Sequence, residues 1–389
     1  VINTCTVTHM ADRKSRQYIR KMKRVNPEAI VAVTGCYAQV SPEEVRQVEG
    51  VNVVAGTGEK QNLLRYIEEY YHERQPQCHI KAYEELTEYI SDGIITSMET
   101  RTRAYIKIQE GCNRFCSYCI IPYARGRVRS RLPEKIRREI DIQCEAGHKE
   151  IVLVGINLSC YGKELGLTLA DAVEIAAENP LVERVRLSSL EPELLTKEQI
   201  GRLASVKKLC PHFHLSLQSG CDNTLKRMNR HYDTAFYREL IKKLRAKFDN
   251  AGITTDIMVG FAGESESDFD ASLEFAKEIS FSSAHVFAYS IRKGTAAEKL
   301  DGHLENSVKR TRSAKMIKAT TDCQKEFLSS QVGKTSQVLF ETKVEDGFYE
   351  GYTPNYTLVK VKSEKDISGE ILPVKITSSA DEHCFGVLV

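Results

Sequence analysis

No stretch of this 389-residue sequence approaches the run of about 18 apolar residues that a membrane helix needs. The formal net charge is only +2. The first absence predicts a soluble protein. The second excludes a partner held by overall charge, so any contact with nucleic acid has to come from local clustering of Lys and Arg. The opening VINTCTVTHM has no initiator Met, basic leader or apolar signal core, so nothing in it suggests secretion or disulfides, and a cytoplasmic location is expected. The same opening reads as mid-strand, which creates the expectation that an N-terminal segment is missing. Cysteine, in contrast, is not scarce. Twelve are many for a cytoplasmic chain if all only pack, and reduced thiols serving as metal ligands are the better reading for some of them.

A chain of this length is too long for one ordinary core, and three blocks are visible. Residues 1–85 alternate strand and helix: VINTC, then MADRKSRQYIRKMKRV with apolar positions at helical spacing, then AIVAVTG, then SPEEVRQVEG, which opens with a Ser cap. This predicts a parallel α/β sheet with Cys5 and Cys36 at strand ends, where open sheets build their sites. Residues 98–330 repeat the alternation six times, with strands at AYIKIQEG, EIVLVGIN, RVRLSSL, HFHLSLQSG, TTDIMVGF and AHVFAYS. Six β/α units predict a partial TIM-type barrel with its chemistry on the loops after the strands. Residues 331–389 change to short alternating strands with frequent turn residues, the pattern of a small β-barrel.

The loop after the first barrel strand, GCNRFCSYC, carries Cys112, Cys116 and Cys119 at C-x3-C-x2-C spacing and lacks a fourth thiol. A structural zinc site closes with four ligands, and Cys144 or His148 would have to complete it from a predicted helix or just beyond. A 4Fe-4S cluster on three thiolates instead leaves one iron open to a substrate or cofactor. Three packing cysteines are the weakest reading, because Glu110, Asn113, Arg114 and Ser117 make the loop polar.

With that spacing after the first strand of a six-unit barrel, the chain resembles the radical S-adenosylmethionine (SAM) superfamily. KIQEGCNRFCSYCIIPYARGRVRSR is similar to its methylthiotransferases, and so are NTCTVT, VTGCYAQ, LSLQSG, LKRMNR and DIMVGF. The form CIIPYARGR is closest to the enzymes acting on N6-threonylcarbamoyladenosine in tRNA. The resemblance implies a Rossmann-like methylthiotransferase domain (incomplete here), a radical SAM partial (β/α)6 barrel and a C-terminal TRAM-like RNA-binding barrel.

It further implies that Cys112, Cys116 and Cys119 hold the catalytic cluster, whose open iron chelates SAM, and that SAM is cleaved to a 5′-deoxyadenosyl radical. Tyr118 matches a position lying against the adenine, while Asn157, Glu191, Gln218 and Gly260 are the candidates for the SAM pocket. Cys5 and Cys36 match two of three ligands of a second 4Fe-4S cluster linked to sulfur insertion; the third belongs to a segment upstream of Val1. An electron donor such as flavodoxin or ferredoxin is implied as well. The remaining cysteines, at 78, 144, 160, 210, 221, 323 and 384, read as packing or surface thiols. Two departures are GFAGE and GTAAE, where Ala262 and Ala296 replace the family's proline; each loosens a loop without removing a reactive group.

The nucleic-acid case rests on residues 123–138, YARGRVRSRLPEKIRR, with seven Lys/Arg against one Glu. Arg125, Arg127, Arg129 and Arg131 alternate and would, if extended, present a row of phosphate-binding forks. The helix from Arg13 to Arg24 adds a second basic surface. Together they suit a tRNA anticodon stem-loop, with Tyr123 available for stacking. Residues 331–389 hold six Lys, no Arg and nine acidic side chains, so their net charge of −3 does not favour an electrostatic grip. Tyr352, Asn355 and Tyr356 could act there by stacking and hydrogen bonding, or simply build a hairpin turn. The reading is a tRNA methylthiotransferase acting at C-2 of threonylcarbamoyladenosine next to the anticodon. Its rivals are methylthiolation of isopentenyladenosine in tRNA or of a ribosomal-protein aspartate, and a non-catalytic zinc-stabilised RNA-binding protein.

Overall fold

A computed structural model describes residues 1–6, 8–90, 93 and 102–389. The chain divides into two compact units: Val1–Ile94 with Glu110–Arg129 and Ser290–Leu300, and Ile95–Gln109 with Ser130–Tyr289 and Asp301–Val389. The domain start expected at residue 98 lies outside the described residues.

The first unit is built on a sheet of four parallel strands in chain order, β1 (Ile2–Thr4), β2 (Val31–Gly35), β3 (Val51–Ala55) and β4 (Gln77–His79). The sequence pattern showed only the first two of these. β3 and β4 are short, and β4 carries the polar run Gln-Cys-His, so neither offers a long apolar period. Helices α1 (His9–Val25), α2 (Cys36–Val40), α3 (Pro42–Arg46) and α4 (Leu63–Glu73) belong to this sheet, and α5 (Ile121–Arg125) to the segment after the cysteine loop. Thr8 caps α1 by accepting from the Ala11 amide at 3.2 Å. Ile19, Val31, Val33, Tyr37, Val45 and Val54 form one buried layer, and Ala32, Val53, Ala55 and Tyr66 another. Successive residues of β2 and β3 thus bury on opposite faces.

The second unit contains the half-barrel. β5 (Arg103–Glu110), β6 (Arg129–Ser130), β7 (Glu150–Gly155) and β8 (Arg184–Leu187) form one sheet in the order β6-β5-β7-β8, with β5, β7 and β8 parallel. β9 (His212–His214), β10 (Gly252–Val259) and β11 (Ser283–Ala288) form a second parallel sheet. Parallel bridges Val185–Leu209 and Leu190–Leu215 link the two, so the six anticipated strands run in chain order as an open half-barrel. Helices α6 (Pro133–Glu145), α7 (Leu169–Glu178), α8 (Lys197–Ser205), α9 (Asp222–Arg227), α10 (Thr234–Lys247), α11 (Glu266–Ile279) and α12 (Asn306–Ser329) connect or follow these strands. Ile106, Leu153, Val185, Phe213, Ile257 and Phe269 anchor one continuous core. The chain then closes a five-stranded barrel from β12 (Thr335–Lys343), β13 (Phe348–Tyr352), β14 (Leu358–Lys362), β15 (Ile371–Ser379) and β16 (Cys384–Leu388), in the order β12-β13-β14-β16-β15.

That barrel is locked to the N-terminal ends of the half-barrel strands. The register sets Arg103 beside Glu150 and Glu150 beside Arg184. Glu150 accepts from Arg186 Nε at 2.6 Å and pairs with Arg184 at 3.5 Å. Arg103 pairs with Glu341 of β12 at 2.6 Å. Arg184 donates to the carbonyls of Gln337 (2.7 Å) and Tyr352 (3.1 Å), and Arg186 to that of Pro354 (3.0 Å). Tyr356 stacks on His212 with ring centroids 4.6 Å apart and on Tyr352 at 4.5 Å. Asn355 is buried and donates to the Asn250 carbonyl at 3.1 Å. A Cβ at Gly252 would lie 2.2 Å from the Asn355 carbonyl oxygen, so only glycine admits this approach. Tyr352, Asn355 and Tyr356 all take part in this junction, with Asn355 buried and the two tyrosines partly exposed.

Candidate functional site

Where β5 ends, Gly111 turns the chain with φ +72°, and a Cβ there would sit 1.8 Å from the Arg127 carbonyl oxygen. Glycine alone can start this loop. Cys112 is then fixed by donation from its amide to the Gly126 carbonyl (3.0 Å), and the Cys119 amide donates to the Cys116 carbonyl (2.9 Å). Phe115 adopts a left-handed φ of +49° between the first two thiols. Cys112, Cys116 and Cys119 are in no disulfide and are partly exposed, with Tyr118 partly exposed between the last two. Three accessible thiols on a non-repetitive loop are a donor set suited to iron-sulfur ligation. Among the described residues no three His, Cys, Asp or Glu side chains are gathered to hold one metal ion; a four-iron cluster is larger and takes ligands set farther apart.

The register of β1 on β2 pairs Thr4 with Gly35, which makes Cys5 and Cys36 the next residues at the same edge of that sheet. Cys5 is exposed and Cys36 buried. Arg125 Nε donates to Cys36 Sγ at 3.1 Å, and its guanidinium pairs with Glu110 at 3.3 Å. This contact between the arginine-rich stretch and the N-terminal thiols had no signal in the sequence.

The four alternating arginines do not form one row. Arg129 is buried and donates to the carbonyls of Leu86, Arg125 and Arg127 at 2.8 to 2.9 Å. Arg131 is buried in an ion pair with Glu139. Alternation would aim forks outward only from an extended strand, whereas Arg125 ends α5 and only Arg129–Ser130 is strand. Arg127 is the exposed one.

In the second unit, Asn157, Glu191, Gln218 and Gly260 all follow the C-terminal ends of β7, β8, β9 and β10, along one rim. Asn157 is buried, and its amide donates to Gln109 Oε1 at 2.7 Å. The Glu191 amide donates to Ser159 Oγ (2.8 Å), and its carboxylate pairs with Arg230. Gln218 has a left-handed φ of +66°; its amide donates to the Asp256 carbonyl (2.9 Å), and its own carbonyl accepts from Met258 (2.8 Å). Its Oε1 is buried with no hydrogen-bond partner among the described residues. An orphaned acceptor of this kind is costly unless a ligand donor meets it, which fits a cofactor pocket. The Gly260 amide donates to Glu264 Oε2 at 2.6 Å, and Arg312 holds that carboxylate at 2.8 Å. Sequence reasoning missed Arg230, Glu264 and Arg312. Glu264 was visible in GFAGE, but Arg312 lies on a long helix among other basic residues and had no distinguishing signal.

A model of the radical SAM superfamily matches residues 106–276, and one described as uncharacterized protein family UPF0004 matches residues 1–56. The threonylcarbamoyladenosine tRNA methylthiotransferase MtaB of Bacillus subtilis is 39% identical across 100% of this chain and 87% of that protein. The MtaB of Aquifex aeolicus is 38% identical over 97% of this chain and 90% of its own length. The chain belongs to the radical SAM tRNA methylthiotransferases. A tRNA-2-methylthio-N(6)-dimethylallyladenosine synthase from Clostridium botulinum is also 35% identical over 97% of this chain and 85% of its own. Among solved structures, the radical SAM methyltransferase TsrM of Kitasatospora setae superposes with a TM-score of 0.57 at 14% identity, over 74% of this chain and 60% of that one, a likeness of fold.

For a radical SAM methylthiotransferase a 4Fe-4S cluster and SAM are the family's cofactors, and the enzyme is a transferase. No described helix is long and apolar enough to cross a membrane. Cys144, Cys210 and Cys384 are buried, and burial pushes each thiol up to about 11. Such thiols are poor ligands and nucleophiles. Cys160, Cys221 and Cys323 are buried too, and Cys78 is exposed.

Proposed function

We propose that this enzyme adds a methylthio group to C-2 of N6-threonylcarbamoyladenosine next to the anticodon of tRNA, with residues 1–85, 98–330 and 331–389 as its three domains. The observation that carries the chemistry is the loop of three accessible thiols opened by Gly111 directly after β5. The substrate choice is supported by similarity to two MtaB enzymes at 39% and 38%, while a third MtaB, of Thermotoga maritima, stands level with the dimethylallyladenosine enzyme at 35%. The 39% and 38% matches are what support threonylcarbamoyladenosine.

Cys112, Cys116 and Cys119 would ligate the cluster, which when bound supplies the electron for SAM cleavage. The protein's own part is to bind and orient. Gln218 Oε1 offers an acceptor, the Gly260 backbone is held by Glu264 and Arg312, and Asn157, Glu191 and Tyr118 complete the candidate SAM set. Cys5 and Cys36 would be ligands of a second cluster, with the Arg125 guanidinium donating to Cys36 Sγ. The working location is the cytoplasm, with flavodoxin or ferredoxin as electron donor. Nucleoside mass spectrometry of tRNA from a deletion strain tests the substrate. Loss of the methylthio form of threonylcarbamoyladenosine is expected; its persistence with no second copy of the enzyme present would sink the assignment.

A further inference from the structure

The sequence offered four arginines to RNA, and the fold leaves one whose charge is unspent. Arg125, Arg129 and Arg131 are held by Glu110, backbone carbonyls and Glu139. Arg127 is exposed and has no carboxylate partner among the described residues. Its guanidinium lies instead over two rings, 5.3 Å from the Phe115 centroid and 5.7 Å from that of Tyr83. Tyr123 packs edge-on against both rings, at 5.2 Å from Tyr83 and 5.6 Å from Phe115. Tyr123 itself is 36% exposed.

Tyr83 and Tyr123 also line a cavity of about 850 Å³ in the first unit. Its charged lining is mixed. Asp12, Glu43, Glu44 and Glu298 line it together with Lys81, Arg292 and Lys293, with Lys81 already paired to Glu59 at 2.9 Å and Arg292 to Asp12. A pocket with four carboxylates against three cations does not select a polyanion. Two tyrosines on its wall, next to a guanidinium already in stacking geometry, select a flat π-system with one nearby phosphate, which is an unpaired nucleotide.

Resting on the tRNA reading above, we propose that Tyr83, Tyr123 and Arg127 form a stacking clamp for an unpaired RNA base neighbouring the one that is modified. The clamp would touch the cysteine loop through Phe115, whose ring packs against Tyr123 and Arg127 and whose backbone is left-handed. Seating of the flanking base would then be felt at the residue between Cys112 and Cys116.

The test uses the reconstituted full chain and an anticodon stem-loop carrying 2-aminopurine on either side of the target adenosine, read by anisotropy and by fluorescence quenching. Wild type should bind and quench at one of the two positions. Tyr123→Leu should weaken binding about tenfold and lose the quenching, given what one stacked base contributes. Tyr123→Phe should keep both. Arg127→Gln should weaken binding and flatten the salt dependence, and Arg127→Lys should restore the salt slope but not the quenching. Melting curves matching wild type separate binding loss from misfolding. Tyr123→Leu and Arg127→Gln binding and quenching like wild type would overturn the clamp while leaving the tRNA reading intact. A wild-type chain that does not bind the stem-loop would overturn both.

Discussion

The two ends of the half-barrel strands are built from similar residues and put to opposite uses. At the N-terminal ends, Arg103, Glu150, Arg184, Arg186 and His212 are buried, tied together by ion pairs and ring stacking and covered by the β12–β16 barrel, although Glu150 Oε2 and His212 Nδ1 have no hydrogen bond among the described residues. At the C-terminal ends, Gln218 keeps a buried acceptor without a partner, and Gln218 and Gly260 both hold left-handed backbone. The base is capped by a second barrel and held by ion pairs, while the rim keeps left-handed backbone and a buried acceptor on the side where barrels of this type take their ligands. Strain and an orphaned acceptor cost free energy, and the locked base is where the fold can offset them.

The largest effect should come from the ligand end of the chemistry. Cys116→Ala should abolish methylthiolation and lower iron and sulfide after anaerobic reconstitution, while the melting temperature of the metal-free chain stays unchanged. Iron retained at wild-type level would remove Cys116 from the ligand set. Next in size is the base. Glu150→Gln leaves three buried guanidiniums facing one carboxylate fewer, and breaking a buried pair in this way costs about 3–5 kcal/mol. Urea unfolding should show a loss of that order. A change under about 1 kcal/mol would mean that the carbonyls of the β12–β16 barrel satisfy the arginines without Glu150.

How much of this contrast was legible beforehand depends on chain distance. The six strands, the cysteine loop and the rim positions could be placed because each is signalled within about ten residues of sequence. The base could not. Its partners lie far apart, as with Arg184 and Gln337 or Arg103 and Glu341, and nothing local distinguishes a charge that will be buried from one that will be solvated. The arginine row failed for the same reason. Glu139 and the Leu86 carbonyl, not the spacing, decide where Arg131 and Arg129 point. The two roles open to Tyr356 from the sequence could not be told apart because its stacking partner, His212, sits far earlier in the chain.

Gln218 sharpens the comparison because its two roles pull apart. Gln218→Met keeps the size of the side chain and removes the orphaned acceptor. SAM affinity should fall about tenfold, the weight of one good hydrogen bond, while stability is unchanged or rises by about 1 kcal/mol. Isothermal titration and urea unfolding of the same preparation read both. A variant that loses stability with SAM binding intact would make Gln218 a structural residue.

The smallest effect is a difference in pH dependence between two buried glutamates, one at each end. Burial alone raises both. At Glu150 the guanidiniums of Arg186, Arg184 and Arg103 outweigh burial and hold the carboxyl below the usual range. At Glu264 burial wins over the single Arg312, and the carboxyl is raised. A depressed carboxyl contributes stability that is present above its unfolded value, about 4.3, and is lost as pH falls through the folded value. A raised one works the other way: its contribution is full below about 4.3 and is lost as pH rises through the folded value. Acidification from neutral pH should therefore narrow the stability gap between wild type and Glu150→Gln. The same change should shift wild type in the favourable direction relative to Glu264→Gln. Parallel pH profiles for the two variants would mean that the number of arginines around each carboxylate does not set the difference between the two ends.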